Sequence, residues 1–203
     1  MTRPHSKSRD RIVALARRQA LIRPRDLSDL KLHRMLLTRL TDEGVLERVG
    51  RGLYRLADAA PMGAPDIVLV AARVPQVVIG LVTAMEYHGL TTEIPRAVDI
   101  LLPRKMRPPV MDHPPLRVFS ASESCFREGV VRTKIDGIPV RMTSPAKTVA
   151  DSFKFRRRVG LEVALEALRE GLVQRMFTPA KFAKFAKTNR VLSFVRPYLE
   201  SMS

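Results

Sequence analysis

The sequence predicts an α+β protein, with an N-terminal winged helix-turn-helix followed by a mixed α/β domain that ends in several helices. Three observations predict this class. Apolar residues recur at helical spacing over roughly residues 8–43, a glycine-centred hairpin pattern follows over 46–56, and strand and helix patterns alternate beyond a Pro-rich segment. The chain has 203 residues, of which 45% are hydrophobic, and this is enough to bury a core.

Three helices are expected before the hairpin. Apolar residues from Ile12 to Ala16 predict a first helix over residues 8–18. Pro24 favours the first turn of a short second helix that ends near Leu30, because a proline there loses no intrahelical hydrogen bond. Leucines at positions 32, 36, 37 and 40 predict a third helix with one buried face, and Gly44 ends it.

The segment LERVGRGLYRL, residues 46–56, contains two short extended runs joined by Gly50-Arg51-Gly52. A glycine turn between such runs predicts a β-hairpin. The segment thus contains three helices, of which the last two are joined tightly, and then a basic hairpin. This order indicates a winged helix-turn-helix over roughly residues 8–57.

A small, Pro-rich stretch without periodicity, DAAPMGAP over residues 58–65, is the best linker candidate. We therefore predict a DNA-binding domain over residues 1–58, a linker over 59–65 and a C-terminal domain over 66–203.

The C-terminal domain is predicted to mix strands and helices. Strands are expected over residues 76–79, 97–102 and 116–120, and a hairpin over 130–142 turns at Asp136-Gly137. The polar cluster from Ser120 to Cys125 is expected to be a loop. Helices are predicted over residues 66–73, 81–88, 144–157, from 161, from 179 and over 191–199.

Basic residues lie mainly at the two ends of the chain. The formal net charge of +16 divides into +7 for residues 1–60, +1 for 61–140 and +8 for 141–203. Such an excess favours anionic partners, and its distribution indicates two separable binding surfaces. The alternative is that the charges only keep the protein in solution.

The third helix of a winged helix-turn-helix enters the major groove, while the wing contacts the DNA backbone. Arginine can present two donors to guanine, and neighbouring cations can bind phosphates. An ordinary solvated face is the alternative. The predicted DNA-binding residues are Arg25, Lys31, His33, Arg34, Met35, Thr38, Arg39, Arg48, Arg51 and Arg55.

A second basic feature lies on the helix that Ser144 opens. Lys147, Asp151, Lys154 and Arg158 are separated by four, three and four residues, so they are expected to form one stripe that Arg156 and Arg157 extend. This stripe could bind an acidic protein, RNA or more DNA. It could equally be a solvated helix face with an internal Lys–Asp pair.

The residues give poor support to catalysis. His and Cys lack metal-ligand spacing, and no glycine-rich phosphate loop occurs, so we expect no catalytic residue, no metal and no cofactor. The single Cys excludes a disulfide framework. No apolar run approaches the length of a membrane span, so a cytoplasmic protein without a membrane partner is expected.

Three segments carry a family resemblance: LERVGRGLYRL, TAMEYHGLTTEIPRAVDILLP and VRMTSPAKTVADSFKFRRRVGLEVALEALREGL. Together they resemble the AbiEi antitoxins of toxin–antitoxin and abortive-infection (phage defence) loci, whose toxin is a nucleotidyltransferase of the AbiEii type. The resemblance spans about residues 12–172. One departure is Lys31-Leu32-His33-Arg34, where relatives often have Gly and small hydroxyl residues, so the base preference should differ.

The resemblance implies that the winged helix binds inverted repeats in the operon's own promoter and represses it, while the C-terminal domain counters the toxin and supports cooperative assembly or dimerisation on DNA. The recognition helix then spans Leu32–Glu43 and the wing Leu46–Leu56. The matching C-terminal positions are Thr143, Ser144, Pro145, Lys147, Thr148, Asp151, Lys154, Phe155 and Arg156.

Two other functions stay open at this point. The C-terminal domain could act enzymatically on the toxin, for example by phosphoryl transfer, although no glycine loop or Asp pair for Mg²⁺ is recognisable. The chain could also be a plain winged-helix transcription factor without a toxin partner.

Overall fold

The computed structural model describes residues 4–202. Within them the chain forms two compact units. The first contains the chain through Arg73 together with Lys134–Pro139, and the second contains Val74–Thr133 and the chain from Val140 onward. The predicted class is confirmed, since N-terminal helices are followed by a region of mixed helices and strands. The boundaries at residues 58 and 66 stay predictions, because compactness alone does not show which segments fold independently.

The first unit follows the predicted order of helices and hairpin. Strands β1 and β2 pair antiparallel with Leu46 opposite Leu56, and Ile22 forms an isolated bridge with Tyr54. The elements are α1 (Pro4–Arg18), a 3₁₀ helix (Pro24–Leu27), α2 (Met35–Asp42), β1 (Leu46–Gly50), β2 (Leu53–Leu56) and α3 (Pro65–Arg73).

A small apolar core holds these elements together. Ile12 of α1, Leu37 and Leu40 of α2 and Leu46 of β1 are buried in one cluster, which also includes Ile22. Their helical and alternating spacing aims them at the same interior, and their burial from water is the main stabilising contribution.

The third helix begins later than predicted. Lys31 adopts a positive φ of 53°, and the N–H of Leu32 donates to the carbonyl of Leu27, which closes the preceding turn. Residues 32 and 33 continue outside any helix and Arg34 is the N-cap, so α2 begins at Met35 instead of Leu32. Leu32 still packs against the core, but from the turn.

The second unit contains a five-stranded sheet in the order β5-β4-β3-β7-β6, except for the tip of the β6–β7 hairpin, which belongs to the first unit. Strand β3 pairs antiparallel with β4 and parallel with β7, and β4 pairs parallel with β5. Its strands are β3 (Val78–Ile79), β4 (Val98–Pro103), β5 (Leu116–Ala121), β6 (Val130–Ile135) and β7 (Ile138–Thr143). The predicted turn between β6 and β7 is confirmed, and both Asp136 and Gly137 have positive φ, as a two-residue hairpin turn requires.

Helix α6 is central among the helices of the second unit and packs against α4, α8 and α9. Every residue from Ala146 to Phe153 is buried, which is the pattern of a helix that is covered on all sides. The helices are α4 (Leu81–Tyr87), α5 (Glu123–Arg127), α6 (Pro145–Lys154), α7 (Arg156–Val159), α8 (Leu161–Val173), α9 (Pro179–Thr188) and α10 (Leu192–Ser201).

Three details of the second unit differ from the sequence prediction. The strand expected over residues 76–79 is reduced to Val78–Ile79. The loop expected up to Cys125 contains α5, which buries Cys125 and Phe126 on one face. The helix expected over residues 144–157 is interrupted at Phe155, whose φ of −101° and ψ of 20° are not helical.

Candidate functional site

Helix α2 separates an exposed face from a buried one. Leu37 and Leu40 face the core, whereas Met35, Thr38 and Arg39 are exposed. Side chains three and four residues apart share a helix face, so these three form one outward surface. Met35 lies in the first turn and is 68% exposed.

Three predicted contact residues lie just before this helix instead of on it. Lys31, His33 and Arg34 are exposed on the turn that leads into α2. Nδ1 of His33 accepts a hydrogen bond of 3.3 Å from the backbone N–H of Met35 and thereby satisfies one free donor at the helix start. The turn therefore places two cations and an imidazole at the N-terminal end of α2.

The other end of α2 is acidic. Arg39 pairs with Glu43 across a turn, with Nε and Oε1 2.8 Å apart, and Asp42 is exposed beside them. The charge of Arg39 is thus compensated, while Lys31 and Arg34 form no ion pair within residues 4–202. The N-terminal end of the exposed face is the one that suits an anionic partner.

The wing presents its cations unequally. Arg51 is exposed at the tip, next to Gly52, whose φ is 69°. The carbonyl of Arg51 accepts a hydrogen bond of 2.8 Å from Nη1 of Arg73 on α3, which fixes the backbone of the tip. Arg48 is also exposed, and its Nε donates to the carbonyl of Gly50.

Arg55 does not belong to this surface, contrary to the sequence prediction. Its side chain is only 13% exposed and forms an ion pair with Glu47 on the neighbouring strand. Nη1 of Arg55 also donates to the carbonyl of Ala60 at 3.0 Å. These contacts consume the donors that a phosphate would need. Arg25, outside the wing, is largely exposed and lies 3.9 Å from Asp26.

The predicted stripe on the helix that follows Ser144 is wrong for two of its members. Lys147 and Asp151 are 0% and 1% exposed and form an ion pair with each other inside the protein. Nδ2 of Asn189 donates to Oδ1 of Asp151 at 2.8 Å. Burial raises the pKa of Asp151, and the Lys147 ammonium only partly opposes this effect. The two charges belong to the core because α6 is covered on all sides.

Two of the four remaining cations of the stripe, Arg156 and Arg158, pack against aromatic rings. The guanidinium of Arg156 lies 4.2 Å from the ring centroid of Phe194, and that of Arg158 lies 4.0 Å from the ring centroid of Phe119. Such contacts are favourable cation–π interactions. Arg157 is exposed on the same short helix.

Lys154, another cation of the stripe, lies beside the buried Cys125. Its Nζ is 3.1 Å from Sγ of Cys125. Burial opposes ionisation of this thiol, but hydrogen bonds from Ser122 and Lys154 and the charges of Lys154 and Lys147 together outweigh it and lower the pKa of Cys125.

Residues 10–57 match the model of a family described as "Transcriptional regulator, AbiEi antitoxin". The matched segment contains α2, the turn before it and both strands of the wing, which are the elements that form the exposed basic surface. The N-terminal segment is thus similar to the AbiEi family over these residues. The predicted resemblance is confirmed there, and the match supports a role as an antitoxin and a regulator of transcription.

Comparison with solved structures covers almost the whole chain, including the part beyond residues 10–57. The chain is similar to the crystal structure of the RV2827C protein from Mycobacterium tuberculosis, with a TM-score of 0.60 and 14% sequence identity, over 97% of this chain and 82% of that one. At this identity the likeness concerns the fold alone. A search of the curated proteins found no match to the chain. Among the described helices, none combines the length and the apolar character that crossing a bilayer requires.

The C-terminal positions that resemble the AbiEi family lie outside the matched segment, and several of them build the core. The hydroxyls of Thr143 and Thr148 are 2.6 Å apart, and Oγ1 of Thr148 also donates to the carbonyl of Ser144. Pro145 occupies the first turn of α6, as predicted. This part of the motif therefore shapes the start of the helix.

Sequence reasoning missed a second ion pair beyond residues 10–57, in which the carboxylate is buried and the guanidinium is partly exposed. Asp99 on β4 accepts hydrogen bonds from Nε and Nη2 of Arg117 on β5, at 2.6 and 2.7 Å, and one from the backbone N–H of Val82 at 3.0 Å. The bond to Asp99 raises the pKa of Arg117. An acidic residue inside the apolar run VDILLP was the available signal.

Proposed function

We propose that this chain is the antitoxin of a two-gene toxin–antitoxin locus of the abortive-infection type. It represses its own operon by binding inverted repeats in the promoter, and it counters a nucleotidyltransferase toxin of the AbiEii type without catalysis of its own. The observation that carries the proposal is the coincidence of the AbiEi match at residues 10–57 with the exposed basic surface of the same segment.

The DNA-binding half of the proposal rests on the charges of this surface. Lys31 and Arg34 flank the start of α2, and Arg51 projects from a wing tip whose backbone is fixed by Arg73. In a winged helix-turn-helix, these positions contact phosphates on either side of the major groove. Paired half-sites in the inverted repeats would be occupied by two copies of the chain, as a dimer or as cooperatively bound monomers.

The wing offers a matched pair of arginines for testing this half. Arg51→Gln removes an exposed cation, whereas Arg55→Gln removes one that is paired internally. For the full chain on a duplex of its own promoter, Arg51→Gln should flatten the slope of log affinity against log salt by about 0.9, and Arg55→Gln should not change it. Equal binding of promoter and scrambled duplexes at physiological salt would refute specific repression.

The antitoxin half needs a growth experiment in the full chain. Co-expression with the neighbouring nucleotidyltransferase should restore growth, and Arg157→Glu tests the exposed cation of α7. If Arg157→Glu abolishes rescue but retains promoter binding, this face is assigned to antitoxicity. Lys187→Glu, at another exposed position, is the matched control. Failure of the unaltered chain to restore growth would leave a regulator without an antitoxin role.

A further inference from the structure

Met35 is the only large apolar side chain that is exposed within the described part of the first unit. It lies in the first turn of α2, and Lys31, His33 and Arg34 lie immediately before it. An apolar side chain among cations adds nothing to the attraction of phosphates, because a thioether carries no charge and donates no hydrogen bond. A contact that Met35 would stabilise is therefore one with an apolar group.

The geometry of α2 determines which end of the helix reaches a base. Asp42 and Glu43 make the C-terminal end acidic, and Glu43 holds the guanidinium of Arg39 at 2.8 Å. Phosphates repel that end and attract the N-terminal end, where Met35 and Thr38 share the exposed face. Met35 and Thr38 are therefore the side chains of α2 that would enter the major groove first.

The chemistry of the major groove then selects the partner of Met35. Guanine, adenine and cytosine present acceptors and donors there, and an apolar side chain over them would desolvate those groups without replacing their hydrogen bonds. Thymine alone presents a methyl group, which is an apolar surface of suitable size. We propose that Met35 packs on the 5-methyl group of a thymine in each operator half-site, an inference that rests on the DNA-binding function proposed above.

Replacing thymine by uracil tests this contact with a change of one methyl group. The full chain first selects duplexes from a randomised DNA pool, and the thymines of the enriched duplex are then replaced by uracil one at a time. At one position per half-site, replacing thymine by uracil should weaken binding about fourfold. This is the effect expected for one buried methyl group. Fluorescence anisotropy of the labelled duplex measures the Kd.

The variant Met35→Ala identifies the protein side of the contact. It should bind the thymine duplex more weakly and should not distinguish thymine from uracil at that position. Because Met35 is exposed, the substitution should leave the thermal unfolding midpoint unchanged, which verifies that the variant is folded. Met106→Ala, at an exposed methionine of the second unit, is the control and should keep the fourfold discrimination.

The outcomes separate this inference from the function on which it rests. If no duplex is enriched from the pool, both the DNA-binding proposal and the thymine contact are refuted. If a duplex is enriched but uracil is tolerated everywhere, only the contact is refuted. A thymine preference that survives Met35→Ala likewise excludes Met35 and leaves DNA binding intact.

Discussion

Lys147 and Asp151 lie one turn apart on α6 and form an ion pair from which water is almost completely excluded. Asn189 completes the group by donating to the carboxylate of Asp151. Removing one member of such a pair leaves an uncompensated charge in the core, and this costs far more than the pair itself contributes.

Lys147→Met should therefore destabilise the protein by about 3–5 kcal/mol. The loss should also depend on pH. Because burial already raises the pKa of Asp151, the folded variant holds this proton more tightly than the unfolded chain does, so its stability falls as pH rises. Urea unfolding at pH 5 and pH 8 should show the larger loss at pH 8.

The double variant Lys147→Met with Asp151→Leu is the control for this prediction. It removes both charges and should recover most of the stability at pH 8. A single variant that is equally stable at both pH values would contradict the burial of an unpaired carboxyl group.

His88 should make the second unit sensitive to acid. Its Nε2 lies 2.8 Å from the carbonyl oxygen of Thr143, and burial lowers its pKa even though this hydrogen bond acts in the opposite direction. The folded state thus binds the proton less readily than the unfolded state, so stability falls as pH decreases below the pKa of an exposed histidine. His88→Gln should reduce the loss of stability between pH 7 and pH 5, measured by urea unfolding. An unchanged pH dependence would show that His88 does not contribute to it.

Gly171 is required by close packing in the second unit. A Cβ atom at this position would lie 2.2 Å from Cε1 of Phe177, a distance at which the ring must move. Gly171→Ala should cost about 1–3 kcal/mol in unfolding free energy, despite the better helix propensity of alanine. Gly63→Ala is the matched control, because no atom lies within 4 Å of its added methyl group. Equal effects of the two substitutions would refute the packing argument.

If the chain binds DNA as proposed, Glu43 should limit the contribution of Arg39 to that binding. Glu43→Gln removes the one negative charge that compensates Arg39 at the C-terminal end of α2. The affinity for any duplex should rise, and the slope of log affinity against log salt should steepen by about 0.9 if Arg39 then binds a phosphate. Glu166→Gln, on α8, is the control and should leave the slope unchanged. A parallel change in both variants would indicate a general effect of net charge.

Local patterns predicted most elements of the fold. The glycine turn of LERVGRGLYRL and the Asp136-Gly137 dipeptide both form hairpins, because few backbone conformations can connect two strands so tightly. The start of α2 was misplaced because Leu32 reaches the same core from a turn as it would from a helix. The spacing of apolar residues alone does not show whether Leu32 lies in a turn or in a helix.

The candidate sites were harder to predict, since the exposure of a charge depends on distant parts of the chain. Arg51 and Arg55 are four residues apart in one hairpin, yet Glu47 on the opposite strand and the carbonyl of Ala60 remove only Arg55 from the surface. Lys147 is buried because helices on several sides cover α6. A Lys and an Asp four residues apart among Ala, Val and Phe are compatible with a pair in the core. The same spacing is equally compatible with an exposed stripe, so it does not distinguish the two.

The hydrogen bond from Arg73 to the carbonyl of Arg51 bears on the entropy of binding. A flexible wing must be ordered when it contacts a phosphate, and each side chain and backbone segment that becomes fixed reduces the affinity. Here the backbone of the tip is already fixed by a residue of α3 in the same unit. On contact with the proposed DNA partner, the tip would lose mainly the freedom of the Arg51 side chain. Through Arg73, α3 would then contribute to affinity without touching the DNA.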